Sequence, residues 1–354
     1  MTRDELLDAI RHGEPIQGAD LSGMDLSGAA LSGGIFETVS LRGANLAGAQ
    51  LDESVLYACD LAGADLRGAN LRLTQLTRSD LRNAALGDAN LNGAGFHRCD
   101  LGGADATRAD LRYAQLTESR LVGMRFPQAR LSNAVLNDVD ASEVDLGGAV
   151  LSQTTLYLAD LQTAKLAGAV FDRTILVGAK LAGQSFAGVD LSRVQLMAAD
   201  LRGCDFTGAT LAGTNFMQAD LSEATLEKVK APQAMFAQAT LVQTKLAGAE
   251  LPQSLFNAAD LRRADFTGAK LQNAYFEEAR AATAVFVRAD LTYANFANAD
   301  LSHADFSGAT LTRASLHGIV EEGAVFGPSR GGAGGEGAGR PQPHREADQR
   351  RGGP

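Results

Sequence analysis

Residues 60–71 read Asp-Leu-Ala-Gly-Ala-Asp-Leu-Arg-Gly-Ala-Asn-Leu, and the same five-residue pattern fills most of the chain. Every fifth residue from Ile16 to Phe326 is Leu, Phe or Ile, and no insertion breaks the series. The exceptions among roughly sixty positions are Ala106, Ala141, Ala231, Ala281 and Glu321. A second series, two residues before the first, consists mostly of Ala. One short unit therefore repeats along the chain.

A period of five residues fits neither an α-helix, which repeats about every 3.6 residues, nor a simple strand, which repeats about every 2. In a helix the Leu series would spiral around every side, and in a strand alternate Leu side chains would point to opposite faces. The chain must instead turn a corner once per unit, so that every Leu points to a common axis. The Gly that often follows the Leu supplies the backbone freedom that such a corner needs.

Units such as Ala64-Asp65-Leu66-Arg67-Gly68 and Ala304-Asp305-Phe306-Ser307-Gly308 resemble the A(D/N)LXX unit of the pentapeptide-repeat family. The resemblance extends over residues 16–326. It implies an all-β fold, a right-handed quadrilateral parallel β-helix with four pentapeptides per coil and with Leu, Phe and Ala inside.

The surface residues carry an independent sign of four units per coil. Among positions divisible by twenty, ten are Asp: Asp20, Asp60, Asp80, Asp100, Asp140, Asp160, Asp200, Asp220, Asp260 and Asp300. In the column shifted by ten residues, only Asp110, Asp190 and Asp290 are Asp. A coil spacing of about 4.8 Å then predicts a rod about 75 Å long.

The two ends of the chain depart from the repeat. Thr2 and Glu5 form a capping-box pattern, which predicts a short capping helix and lead-in over residues 1–15. Residues 16–326 form the predicted β-helix. Residues 327–354 are rich in Gly, Pro and Arg and nearly free of large apolar residues, and they are predicted to be a disordered tail.

Few residues are arranged for chemistry. Cys59, Cys99 and Cys204 all fall on the Ala series and are predicted to be small buried core residues. The five His residues are scattered, with none at ligand spacing from another. We therefore predict a non-enzymatic protein with no catalytic, cofactor-binding or metal-binding residues.

Charge and hydropathy restrict the partners. A net charge of −10 argues against direct binding to nucleic acid, which needs concentrated Lys and Arg. No stretch approaches the length of a membrane span, and the first residues lack the apolar core of a signal peptide. The expected compartment is the cytoplasm of a bacterium, without membrane insertion.

One face of the predicted solenoid differs from the others. The residue before the core position is never charged along the column that starts at Pro15 and continues every twenty residues to Ser315. Together with the residues that follow the core position, this face is predicted to carry an exposed apolar strip for protein binding: Val135, Tyr157, Leu158, Ile175, Val177, Met197, Met217, Met235, Leu255 and Tyr275. A stack of core Phe residues from Phe216 to Phe296 is expected beneath it. The alternative interpretation is that these residues occur there because β-branched and Met side chains favour a strand surface, without a binding role.

The preferred function is a protein-binding scaffold or adaptor, and a second copy of the chain is one candidate partner. Residues 9–21 are similar to the lead-in of pentapeptide arrays encoded with type VI secretion systems, which implies an accessory role there. The main alternative is mimicry of DNA toward a type II topoisomerase such as gyrase, as in members of the family that confer quinolone resistance. Basic residues interleave with the Asp column and weaken that alternative.

Overall fold

The chain folds into a four-sided parallel β-solenoid of about 16 coils, preceded by one short helix. The computed structural model describes residues 1–327, so the tail predicted to be disordered lies, apart from Gly327, outside the described residues. We name the faces by their core residues, which recur every twenty positions: face I begins at Ile16, face II at Leu21, face III at Leu26 and face IV at Leu31. The parallel β-solenoid that the family resemblance implies is confirmed.

Parallel pairing joins each residue to the one twenty positions later, as in Ile16↔Phe36 and Phe36↔Leu56. Six strands on face I form one parallel sheet, and two on face III form another. Their bounds are β1 Ile16–Gln17, β2 Ile35–Glu37, β3 Val55–Tyr57, β4 Gln75–Thr77, β5 Gly95–His97, β6 Gln115–Thr117, β7 Asp305–Phe306 and β8 Val325–Phe326. Elsewhere single bridges with the same register hold the coils together, for example Asp200↔Asp220.

Each coil is bonded to the next through the backbone beside the core residue. The Leu46 amide donates to the Asp65 carbonyl at 2.7 Å, and the Asp65 amide donates back to the Ala44 carbonyl at 3.0 Å. At the corners, the second residue after the core position adopts positive φ, as Gly208 does at 66°. This left-handed conformation explains the frequent Gly at that position.

Small residues two positions before each core residue allow the chain to pass close to the axis. Where Ser or Thr replaces Ala, the buried hydroxyl donates to a carbonyl of the preceding coil. Thr74 Oγ1 donates to Leu51 O at 2.7 Å, and Thr214 Oγ1 donates to Leu191 O at 2.8 Å. Cys59, Cys99 and Cys204 are buried in the same positions, as predicted.

The C-terminal part of the core contains two Phe ladders on opposite faces. On face I, the rings from Phe216 to Phe296 stack with centroids 4.5–4.9 Å apart, which confirms the stack expected there. On face III, the rings from Phe266 to Phe326 stack at 4.9–5.0 Å. Edge-to-face contacts join the two ladders across the interior, as between Phe256 and Phe266 at 5.7 Å.

Helix α1 (Arg3–Arg11) covers the first coil. The predicted capping box is present, because the Glu5 amide donates to Thr2 Oγ1 and the Thr2 amide donates to Glu5 Oε2. Leu6 is buried in the core, and Leu7 and Ile10 pack partly against it. The helix thus shields the apolar end of the solenoid.

The ladder of backbone hydrogen bonds that joins successive coils is interrupted near the middle of the rod. Between residues 138–143 and 158–163, the amides of Asp138, Ala141 and Asp160 have no hydrogen-bond acceptor within the described part of the chain. A larger opening separates residues 163–173 from residues 183–192 on faces III and IV. We call residues 136–193 the junction, residues 16–135 the N-terminal stack and residues 194–326 the C-terminal stack.

Candidate protein-binding face

The structure places all ten predicted strip residues on face I or at its corner with face II. The pre-core column is in register from Val135 through Ile175, Met235 and Leu255 to Tyr275. The post-core residues Tyr157, Val177, Met197 and Met217 follow one another in successive coils beside it. None of the ten is buried.

The apolar run moves from one column to the other along the rod. Gln195 and Asn215 interrupt the pre-core column between Ile175 and Met235, and their side chains are hydrogen-bonded to each other at 3.1 Å. Met197 and Met217 lie beside this polar pair in the post-core column. The strip therefore changes column along the rod: it follows the post-core column from Tyr157 to Met217 and the pre-core column from Met235 to Tyr275.

Exposure is greatest at the aromatic residues and at Leu158. The exposed fractions of Tyr157, Leu158 and Tyr275 are 43%, 50% and 45%, whereas the other seven strip residues are half-buried between neighbouring coils. Leu158 holds a corner position with φ at 56°, where many coils have Gly. Its side chain lies over Gly178 in the next coil, so close that a Cβ on Gly178 would clash with it.

Several exposed apolar residues lie outside the predicted strip. Ile35, Val55 and Tyr57 extend the apolar character of face I into the N-terminal stack, and Ile35 pairs with Val55. Tyr113 and Tyr293 stand at the corner between faces IV and I. They occupy the second post-core position of face IV, so the periodicity of face I alone does not reveal them.

The Asp column of face II carries little net negative charge, because basic side chains on the same face pair with it. Arg82 is bonded to Asp80, and Arg202 pairs with Asp200 at 2.6 Å. Hydrogen bonds from these guanidinium groups hold the pKa of Asp80 and of Asp200 below its usual value. Ion pairs also engage the other bases of this face except Arg263, within the described residues: Arg42, Arg120, Lys180, Arg262 and Arg280.

The cysteines have the properties of core residues rather than of reactive thiols. Burial raises the pKa of Cys99 to about 11 and that of Cys204 to about 12, so both thiols stay protonated at neutral pH. Within residues 1–327, no group of three or more His, Cys, Asp or Glu side chains is placed to hold a metal ion. The helix of the described chain is too short to cross a membrane.

The family described as pentapeptide repeats matches overlapping segments that together run from residue 17 to residue 319. This chain belongs to the pentapeptide-repeat family. No curated protein sequence matches the chain.

Solved structures of the family are similar to it. HetL of Nostoc sp. strain PCC 7120, involved in heterocyst differentiation regulation, is 24% identical, with 92% of this chain and 97% of HetL covered and a TM-score of 0.17. QnrB1, a plasmid-mediated fluoroquinolone resistance protein, is 18% identical over 61% of this chain and 92% of its own, with a TM-score of 0.27. A pentapeptide repeat protein of the Arabidopsis thaliana thylakoid lumen is 26% identical over 36% of this chain and 70% of its own, with a TM-score of 0.21.

Proposed function

We propose that this pentapeptide-repeat protein is a non-enzymatic scaffold or adaptor that captures a partner protein on the apolar strip of face I. The observation that carries the proposal is the contrast between faces. Face I has no charged residue in its pre-core column from Pro15 to Ser315, whereas the same column on face II is Asp or a base in most coils. Exposed Tyr and Leu and accessible Met side chains occupy the uncharged face.

The physical basis of binding would be a rigid and preformed surface. Backbone bonds between coils fix the positions of the strip residues, so docking orders few groups and loses little conformational entropy. Tyr supplies a large amphipathic contact area, and Met adapts its shape to the partner. We name Tyr157, Ile175, Met197, Met217, Met235, Leu255 and Tyr275 as the anchors.

The test replaces Met197, Met217 and Met235 with Lys, which adds three charges to the strip without touching the core. The control places three Lys residues at the corresponding post-core and pre-core positions of face III, namely Ala187, Thr225 and Ala247. Both variants should keep the thermal unfolding midpoint of the wild type within a few degrees, since surface substitutions usually change stability by less than about 0.5 kcal/mol.

Crosslinking and mass spectrometry of the tagged protein in its own host then reads out the partners. We expect the wild type and the face III variant to capture the same proteins, and the face I variant to lose them. If the face I variant captures the same partners at the same yield, the strip is not the binding surface. Sedimentation of the purified protein separates self-association, because a dimer formed through the strip would dissociate in the face I variant alone.

The cytoplasmic setting and the link to a bacterial secretion system belong to the same proposal. They are tested by the identity and location of the crosslinked partner.

DNA mimicry toward gyrase is the weaker proposal. A duplex presents a dense field of one sign, whereas the carboxylates of face II are paired with bases along much of the rod. Inhibition of gyrase supercoiling by the purified protein at micromolar concentration would favour this function over the adaptor, and the absence of inhibition would remove it.

A further inference from the structure

Gln184 is out of place in the column of small residues. Phe186 is the core residue that follows Gln184. Two positions before each of the remaining core positions from Leu21 to Phe326, the chain has Ala, Gly, Ser, Thr, Cys or an apolar residue. Gln184 is the one residue there with a long polar side chain. The Gln184 side chain is half-buried, and a polar amide that enters the edge of an apolar core needs hydrogen-bond partners.

The side chain of Gln184 reaches back to the preceding coil. Its Nε2 donates to the carbonyls of Leu161 at 2.9 Å, Gln162 at 3.1 Å and Ala164 at 2.9 Å. In the regular ladder, the Ala164 carbonyl would accept from the amide of Ser185, as the Ala44 carbonyl accepts from Asp65. The Gln184 side chain has therefore replaced a backbone bond between the two coils.

The ladder is open on both sides of this contact. Seven amides whose equivalents in the regular coils bond to a neighbouring coil have no acceptor within the described chain: Thr163, Leu166, Gly168, Phe171, Arg173, Ser185 and Asp190. The core is also less covered here, since Ala164, Leu166 and Ala169 are 6–7% exposed, whereas Cys204, Phe206 and Ala209 in a regular coil are 0% exposed. The opening spans faces III and IV.

Faces I and II stay closed across the same two coils. The Leu176 amide donates to Gln195 O at 2.7 Å, and the Asp200 amide donates to Ala179 O at 2.9 Å. The boundary between residues 161–180 and residues 181–200 is thus bonded on two adjacent faces and open on the other two.

We propose that this boundary is a compliant joint in an otherwise stiff rod and that Gln184 holds it open. The coils hinge about faces I and II, where the backbone bonds persist, and separate on faces III and IV, where they do not. Segments with few backbone hydrogen bonds and thinner core cover open at low free-energy cost. If the strip binds a partner, Val177 and Met197 lie on either side of the joint, so a partner bound across them would brace the hinge side and restrict the motion of the two coils. That last step rests on the proposed function, and the joint itself does not.

Hydrogen exchange of the free, full-length protein tests the joint apart from any partner. In the wild type, the seven amides should exchange at least about a hundredfold faster than the amides at the equivalent positions of the regular coil, residues 203–213. Gln184→Ala restores the small residue, so the coils should close. Exchange of the seven amides should then slow by at least about tenfold, and the thermal unfolding midpoint should rise.

A matched pair at Ala224 transplants the feature. Ala224 lies two coils farther along in the same column, so Ala224→Gln should open residues 203–213 to fast exchange. Ala224→Ser should leave them protected, since the column of small residues accepts buried Ser at Ser54 and Ser254. If the seven wild-type amides are as protected as residues 203–213, or if Gln184→Ala leaves their exchange unchanged, the joint does not exist. Because exchange in the wild type and in Gln184→Ala is sufficient to decide, the test holds even if Ala224→Gln fails to fold.

Discussion

The N-terminal and C-terminal stacks use the same five-residue unit to build two different cores. In the N-terminal stack the core is mainly Leu, with isolated rings such as Phe36 and Phe96, and face I forms the short strands β1–β6. In the C-terminal stack, Phe ladders on faces I and III meet edge to face, and single bridges replace those strands on face I. Both cores keep the register of twenty, so the backbone ladder sets the fold and the side chains adapt to it.

The two stacks also differ on their surfaces. Most of the apolar strip lies on the junction and the C-terminal stack, whereas the N-terminal stack exposes only Ile35, Val55 and Tyr57 on the same face. The thiols are divided as well, with Cys59 and Cys99 in the first stack and Cys204 in the second. Since all three are buried, their reaction with a thiol reagent reports the opening of the stack that holds them.

The largest expected effect comes from removing one ring of the face I ladder. Phe256 stacks on Phe236 at 4.8 Å and on Phe276 at 4.9 Å, so Phe256→Ala should lower the free energy of unfolding of its stack by about 3–5 kcal/mol. Urea unfolding with thiol labelling should show earlier reaction of Cys204 and unchanged reaction of Cys59 and Cys99. Leu76→Ala, which makes a smaller cavity in the N-terminal stack, should give the reverse pattern.

The control is Phe256→Leu, which keeps an apolar side chain and should cost about 1 kcal/mol. Equal acceleration of all three thiols in both Ala variants would mean that the rod unfolds as one unit, and the division into two stacks would be wrong.

A loss of unfolding free energy of intermediate size should be the same in both stacks. Thr214→Val and Thr74→Val each remove a buried hydroxyl that donates to the carbonyl of the preceding coil. Each variant should lose about 1 kcal/mol of unfolding free energy, the usual net value of such a bond. Because this bond joins successive coils in both stacks and does not depend on whether the core is Leu or Phe, a loss in one stack only would contradict the comparison. Thr→Ser at each position keeps the hydroxyl and serves as the control.

The sequence predicts the regular part of the fold because one residue type recurs at one interval. A period of five forces a corner per unit, and the Asp column at intervals of twenty predicts four units per coil, which the pairing of Phe36 with Leu56 confirms. The capping helix is equally local, since Thr2 and Glu5 lie in one turn. These features depend on neighbours in sequence or on the register alone.

The interruption of the ladder could not be predicted in the same way. The Leu series passes through residues 136–193 without an insertion, and Gln184 is the main departure in the small-residue series. Whether a longer side chain shifts its neighbours or opens the ladder depends on packing between coils, which the pattern does not contain. For the same reason, the strip residues could be placed on one face, but the half-burial of Met197 and Met217 could not be anticipated.

The smallest effect concerns a pair of carboxylates in the same column, Asp80 in the N-terminal stack and Asp200 in the C-terminal stack. Each has a lowered pKa, because an Arg two residues later donates to it. A lowered pKa in the folded state means that the stabilisation is present above the unfolded value of about 3.9 and is lost as the pH falls through the folded value. Asp80→Asn and Asp200→Asn remove the charge and keep an oxygen for the backbone amide that each Asp accepts from.

At pH 7 each Asn variant should be less stable than the wild type by less than about 1 kcal/mol, because both Arg partners are largely exposed and solvent screens the pair. The difference should shrink as the pH falls through the lowered folded-state pKa and the wild-type carboxyl becomes protonated, and urea unfolding at pH 7 and along a series of acidic pH values measures it. A difference that persists at low pH would show that the carboxylate acts through its shape and not its charge. Equal losses at Asp80 and Asp200 would show that these ion pairs, like the buried hydroxyl bonds, are common to the two stacks, and leave the core as the feature that separates them.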